Sequence, residues 1–207
     1  MGRPRKADID VGTTERILSA AEETFADAGF AAARLEDIAE AAGLRRPSLL
    51  YHYPSKDALY AAAVARSFER LRRVLGGAIA GEGTFEERLD RLSGTYVAFL
   101  VENAGIARLV VRELMNPSEA GRPLLEEEFA RTLDLAESFL RVAGEGSLRR
   151  DLDVRAAILQ VAGGAILYAI AGDLRPALWR EPKNAPASRH AATVQRLARH
   201  LVLKEPS

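Results

Sequence analysis

The chain has 207 residues, 48% of them hydrophobic, with 29 basic and 29 acidic side chains. That length suits one large or two small helical domains with a sizeable core, and a net charge of zero excludes whole-chain electrostatics as a reason to bind nucleic acid. Cysteine is absent, which excludes disulfides, thiolate catalysis and zinc-thiolate sites.

Residues 1–12 read as a flexible basic arm. Its Arg3, Arg5 and Lys6 suit either a DNA minor groove and its phosphates or a solubilising tail. The arm lacks the apolar run of a signal peptide. A first helix is predicted over residues 13–28, capped by Thr13 or Thr14, with Ile17, Leu18, Ala21 and Phe25 on one face and Gly29 as its stop. Phe30 is expected to plug the core of the helices that follow.

Residues 35–59, LEDIAEAAGLRRPSLLYHYPSKDAL, carry the most specific pattern. Leu35, Ile38, Ala39 and Ala42 fall at i, i+3, i+4 and i+7, one apolar helix face. Gly43 suits the left-handed backbone of a helix stop, and Pro47 the first turn of the next helix. In that short third helix Leu49 and Leu50 turn inward, while Arg46, Ser48, Tyr51 and His52 offer donors and flat rings. Pro54 stops it and Ser55 caps the next. A helix, a Gly turn and a short polar-faced helix form the unit that places a recognition helix in a DNA major groove. Against this stands charge. Residues 1–60 hold eight cations and ten anions, so only local placement of the cations favours DNA.

A fourth helix is expected from Ser55 to about Leu75, stopped by Gly76 and Gly77, with Arg66, Arg70, Arg72 and Arg73 as a solvated face. Thr84 and Glu87 make a capping box for a fifth helix bearing Tyr96, Phe99 and Leu100, which Asn103 to Gly105 break. A short sixth helix spans residues 106–115 and a seventh residues 123–142. Asp153 caps an eighth, residues 154–172, apolar all round and so buried on more than one side. Its apolar run of about seventeen residues is marginal for a membrane span, which needs ~20, and a buried interface helix is preferred. A Pro-bearing connection with Trp179, the only tryptophan, leads to a ninth helix over residues 188–203. The fold class is all-α, and a soluble cytoplasmic protein without a membrane anchor is expected.

The segment GLRRPSLLYHYPSKDAL resembles the DNA-binding signature of the TetR/AcrR family of transcriptional regulators. The resemblance is detailed from Thr14 to Leu59 and rests on Ile38-Ala39, Ala42-Gly43-Leu44, Leu49, the Tyr–His–aromatic cluster, Pro54 and Lys56 to Leu59. Beyond, only length, helical character and helix order match. Three positions depart from the family pattern. Arg34 and Arg45 stand where Thr or Ser usually caps a helix, which costs ~1 kcal/mol each. Leu50 stands where the family has Tyr, with Tyr51 one residue later and therefore turned ~100° away.

The resemblance implies a helix-turn-helix domain over residues 13–60 and a ligand-binding and dimerisation domain over residues 61–207. Arg34, Arg45, Arg46, Pro47, Ser48, Tyr51, His52 and Lys56 are the expected contacts to a double-stranded DNA operator, Lys56 on phosphate at the start of helix 4. Helices 8 and 9 of two copies would form a four-helix homodimer interface through Ala157, Val161, Gly164, Ala165, Tyr168, Val194, Leu197 and Leu201. Helices 4 to 7 would enclose a small-molecule effector, with Phe68, Tyr96, Phe99, Leu100, Arg112, Met115, Phe129 and Leu133 as walls; for each of these, plain core packing is the alternative. Arg108, Arg112 and Glu113 suit either a chamber or an exposed face.

The leading expectation is a ligand-responsive repressor that binds a palindromic operator as a homodimer. A small-molecule-binding protein without DNA binding is the second reading, motivated by Arg34, Arg45, Leu50 and the acidic balance. An enzyme is disfavoured. His52, His190 and His200 are scattered, with no metal-ligand spacing, nucleophile elbow or carboxylate pair. No metal and no cofactor are expected.

Overall fold

A computed structural model describes residues 6–182 and 185–204. Its helices are α1 (Lys6–Ala32), α2 (Leu35–Ala41), α3 (Arg46–His52), α4 (Lys56–Ala80), α5 (Phe85–Glu102), α6 (Ala104–Met115), α7 (Gly121–Ala143), α8 (Val154–Ala171), α9 (Arg175–Trp179) and α10 (Ala187–Val202). The nine expected helices are all present, and the short α9 occupies the expected Pro-bearing connection. Among the described residues the only extended pairing is a single bridge between Leu148 and Leu203, so the fold is all-α. The arm residues Arg3 and Arg5 lie outside the described residues, and α1 begins at Lys6 rather than at Thr13.

Two compact units divide the chain, Met1–Phe68 with Arg108–Glu128, and Glu69–Ala107 with Phe129–Ser207. The boundary expected at residue 60 falls inside α4, and the unit holding the helix-turn-helix also takes in the second half of α6 and the start of α7.

In the first unit the apolar positions legible in the sequence form the core. Ile17, Ala21, Phe25, Ile38, Ala39, Leu49 and Leu59 are buried, and Phe25 meets the buried Tyr60 edge-on at 4.8 Å. Phe30 tilts against the same Tyr60 ring at 5.0 Å. At Gly29 α1 breaks, with φ 78°, before one further turn. A left-handed residue is one reason for glycine there; the other is Arg112, whose Cδ would lie 2.7 Å from any added Cβ and whose guanidinium donates to the Asp27 carbonyl at 2.8 Å. Arg108 pairs with the Asp27 carboxylate at 2.9 Å. Beyond them, Glu113 is buried and accepts from the Tyr60 hydroxyl at 2.7 Å and from the Ser118 amide at 2.9 Å. Burial, with the Glu113 carboxylate beside it, pushes the Tyr60 phenol well above its ordinary range. Arg108 and Arg112 thus lie on an exposed face, one of the two expected readings, while Glu113 is buried; all three hold α6 to α1 or α4. Arg66, by contrast, is no solvated residue, its side chain being 18% exposed. It bonds Glu15 at 2.6 Å and lies 3.5 Å from Glu22, tying α4 to α1.

In the second unit α5, α8 and α10 pack together. The capping box at Thr84 and Glu87 is reciprocal, with bonds of 3.2 and 2.8 Å, and Asp153 caps α8 through the Ala156 amide at 3.0 Å. Gly76 and Gly77 do not stop α4, which runs on to Ala80. Glycine in a helix costs ~1 kcal/mol relative to Ala but does not end it. Arginines of α5 satisfy the carbonyls at the true end: Arg88 donates to Ile79 at 2.7 Å and Arg91 to Glu82 at 2.7 Å. Arg199 of α10 grips Asp90 of α5 with two bonds of 2.7 and 2.6 Å. Val154–Trp179 is apolar over a length that could cross a membrane, at a mean hydropathy of 1.7; its buried side packs on α5 and α10. The buried Tyr168 stacks on His190 at 3.8 Å, with Trp179 edge-on to both rings.

Replacing Tyr60 with Phe keeps the ring against Phe25 and removes one donor from a buried carboxylate, so urea unfolding should report a loss of ~1–3 kcal/mol; no loss means that Glu113 finds another donor. His190 gives a pH dependence. Burial, the largest cause, holds its imidazole below the ordinary value of 6.5, while Glu181 pulls it up and Arg175 down. The unfolded chain therefore takes up a proton before the folded one does, so this contribution is complete above about pH 6.5 and is lost as the pH falls below it. Melting temperatures across about pH 5 to 8 should fall on the acid side in the native protein and less so in His190→Phe.

Candidate nucleic-acid interface and ligand chamber

α2 ends as a helix-turn-helix requires. Gly43, at φ 69°, follows the last turn, the Leu44 amide donates to the Ala39 carbonyl at 2.8 Å, and the Gly43 amide donates to that of Glu40 at 2.9 Å. These two bonds make a Schellman stop, which fixes the direction in which the chain enters α3. Arg34 and Arg45 occupy the N-cap positions of α2 and α3, and neither side chain makes a capping bond. Because an arginine has no acceptor to offer a backbone N–H, both guanidiniums stay exposed.

On α3, Leu49 is fully buried and Leu50 half-buried, while Arg45, Arg46, Pro47, Ser48 and Tyr51 are exposed. Tyr51 is 84% exposed, with His52 edge-on to its ring at 5.5 Å. Arg46 is not alone on this face: the Glu36 carboxylate lies 3.3 Å from it and 4.0 Å from Arg34. Sequence periodicity did not single out Glu36, since it is one of several acids in an acidic helix. Ser55 caps α4 through the Ala58 amide at 3.1 Å. Lys56, expected on phosphate, turns back onto α1, donating to the Ala31 carbonyl at 3.1 Å with its ammonium 4.8 Å from the Phe30 ring centre. It joins two helices of the domain, and the remaining ammonium protons are what it can offer outward.

The second unit contains an apolar chamber of about 90 Å3. Leu71 and Leu75 of α4, Leu89, Leu92, Ser93 and Tyr96 of α5, and Phe129, Thr132, Leu133, Ala136 and Leu140 of α7 form most of its wall. α8 and α10 close it with Ala157, Ile158, Val161, Ala162, Ala198 and Val202. Of the expected wall residues Tyr96, Phe129 and Leu133 line it. The others do not. Phe68, Phe99 and Leu100 are buried in packing, Met115 is 73% exposed, and Arg112 is committed to α1. Helix periodicity marks an inward face but not whether that face meets a neighbour or a void. The α8 and α10 contributions to the wall were missed for the same reason.

The expected pairing residues also divide. Ala157, Ala165, Tyr168 and Val194 are buried within the unit itself, and Val161 faces the chamber. Gly164 and Leu197 are exposed and Leu201 half-buried. A stripe of exposed apolar side chains marks the outer side of α8 and continues past it: Leu159, Leu167, Leu174 and Leu178. α8 is therefore buried on one side and bare on the other. Among the described residues no group of acidic and histidine side chains could hold a metal ion.

Residues 17–63 match the family model described as bacterial regulatory proteins, tetR family, and residues 85–205 match the C-terminal domain of the HTH-type transcriptional dual regulator CecR. The HTH-type transcriptional regulator RutR of Escherichia coli strain K12 is 37% identical over 123 residues, 56% of this chain and 53% of that protein. The chain thus spans about half the length of the curated relatives it matches. Among solved structures, the fatty acid degradation regulator FadR from Bacillus halodurans superimposes with a TM-score of 0.72 at 18% identity, covering 89% of this chain and 96% of that one. The transcriptional regulator FadR from Bacillus subtilis, in complex with stearoyl-CoA, gives 0.71 at 17% identity, covering 89% and 96%. At these identities the structural likeness speaks for the fold.

Proposed function

The chain belongs to the TetR family of bacterial regulatory proteins, a family of transcription regulators rather than enzymes, and we propose that it is a ligand-responsive repressor acting as a homodimer on a palindromic operator. The observation that carries the DNA reading is the outward face of α3. A Schellman turn aims the helix, Leu49 anchors it, and Arg45, Arg46, Ser48 and Tyr51 stand clear of the core. Groove contacts concentrate at the start of a recognition helix, which is where Arg46 lies. An arginine there can pair with guanine O6 and N7, and the Glu36 carboxylate lies 3.3 Å from it.

Dimerisation is supported by the bare side of α8. Leu159, Leu167, Leu174 and Leu178 would bury apolar area worth ~25 cal/mol per Å2, and a Cβ added at Gly163 or Gly164 meets nothing within 4 Å. Two copies pairing there would give an operator two half-sites related by the same symmetry. Ligand response is supported by the chamber and by α4, one continuous helix that begins beside α3 and carries Leu71 and Leu75 on the chamber wall. A ligand that fits only one position of those leucines favours that position of α4 by its differential affinity. The stearoyl-CoA of the Bacillus subtilis regulator makes an aliphatic ligand a natural class for such a wall.

Selection of bound sequences from a random DNA pool should return a palindrome; a pool with no enriched sequence means the chain does not read DNA, and leaves a ligand-binding protein. On the selected operator Arg46→Ala should relax preference at one base position per half-site by ~1–3 kcal/mol, whereas a uniform loss over all variants makes Arg46 a backbone clamp. Sedimentation at micromolar concentration should give a dimer. Gly164→Phe, which has room in the protomer, should shift the protein to monomer with its helical content and melting intact.

A further inference from the structure

The chamber has an uneven chemistry. No charged side chain lines it. Of its three hydroxyls, that of Ser93 already donates to the Leu89 carbonyl at 2.8 Å, and Thr132 is engaged elsewhere. Tyr96 differs. Its half-buried ring lines the wall, and its hydroxyl has no hydrogen-bond partner among the described residues. A phenol without a protein partner bonds water while the chamber is empty, and an acceptor brought in by a ligand takes the place of that water. A carboxylate or phosphate in the same place would lose its water and gain no cation.

We propose that this chamber takes an uncharged aliphatic molecule bearing one oxygen acceptor, of the alcohol, ketone or ester class, with the oxygen accepting from the Tyr96 hydroxyl. The apolar body lies on Leu71, Leu75, Phe129 and Leu133, and the neutral phenol fixes which way round it enters. Tyr96 is the specificity-determining residue of the site: it separates an oxygenated chain from an alkane, and the uncharged lining separates both from acids and from thioesters of coenzyme A. This rests on the reading of the second unit as the effector-binding half.

Calorimetric titration of the full chain without DNA tests it, using 1-octanol, 2-octanone, octane, octanoate and octanoyl-CoA as probes. 1-Octanol and 2-octanone should bind, with octane and octanoate each about tenfold weaker or more, tenfold being the worth of one hydrogen bond. Tyr96→Phe should weaken 1-octanol about tenfold and leave octane unchanged, and its unaltered melting curve would show that the fold is kept. The proposal is overturned if octanoate or octanoyl-CoA binds more tightly than 1-octanol, if Tyr96→Phe binds 1-octanol as the native protein does, or if none of the probes binds. Because the titration contains no DNA, failure of the regulator reading would appear separately, as an unenriched pool in the selection experiment.

Discussion

A carboxylate removed from water must take its hydrogen bonds from the protein, and Glu113 is such a group. Its partners come from two directions: the Tyr60 hydroxyl from α4, and the Ser118 amide and hydroxyl from the turn after α6. Gly121 completes the turn, because any side chain there would collide with the same carboxylate. One residue earlier, Arg112 fills the space beside Gly29 and bonds the Asp27 carbonyl where α1 breaks. The end of α6 is therefore held to the two helices that frame the helix-turn-helix. Geometry of this kind is costly to loosen, since removing one partner leaves a buried charge short of a donor. It explains why the compact unit around α3 takes in Arg108–Glu128 and not the first sixty residues alone.

Arginine recurs as the element that satisfies backbone and charge in this chain. Arg88 and Arg91 close the end of α4, and Arg175 closes that of α8 by donating to the Tyr168 and Ala169 carbonyls. Arg66 and Arg108 meet acids of α1. The acidic balance of residues 1–60 misleads for this reason: part of that acidity is matched by cations from outside the stretch, while Arg34, Arg45 and Arg46 remain on the exposed face with Glu36 between them. Exposed pairs of this sort are worth little in stability. Their effect is on where the charge sits.

Several features were legible because they are local. The stop at Gly43, the anchor Leu49, the cap Ser55, the capping box at Thr84 and the cap Asp153 each depend on a few neighbouring residues, and the structure has them all. Leu50 reads as a packing residue from its neighbour Leu49, and it is half-buried. Gly76 and Gly77 misled because a glycine pair permits a helix end without imposing one; what decides is whether the next carbonyls find donors, and Arg88 and Arg91 arrive from a different helix. Phe68, Phe99 and Leu100 misled in another way. Periodicity places them inward, and they are inward, but a neighbour rather than the chamber occupies the space they face.

The sequence by itself determined the helices, their caps, the all-α class and the helix-turn-helix, since each follows from spacings of three or four residues and from turn chemistry at single positions. Tertiary structure alone decided what each inward face meets. It put Glu36 beside Arg46, turned Lys56 onto α1, committed Arg112 to the break at Gly29, and left Tyr96 as the phenol in the chamber without a partner. Those outcomes depend on residues distant in the chain arriving at one place, and no periodicity within a helix encodes which neighbour, or which void, lies across from it.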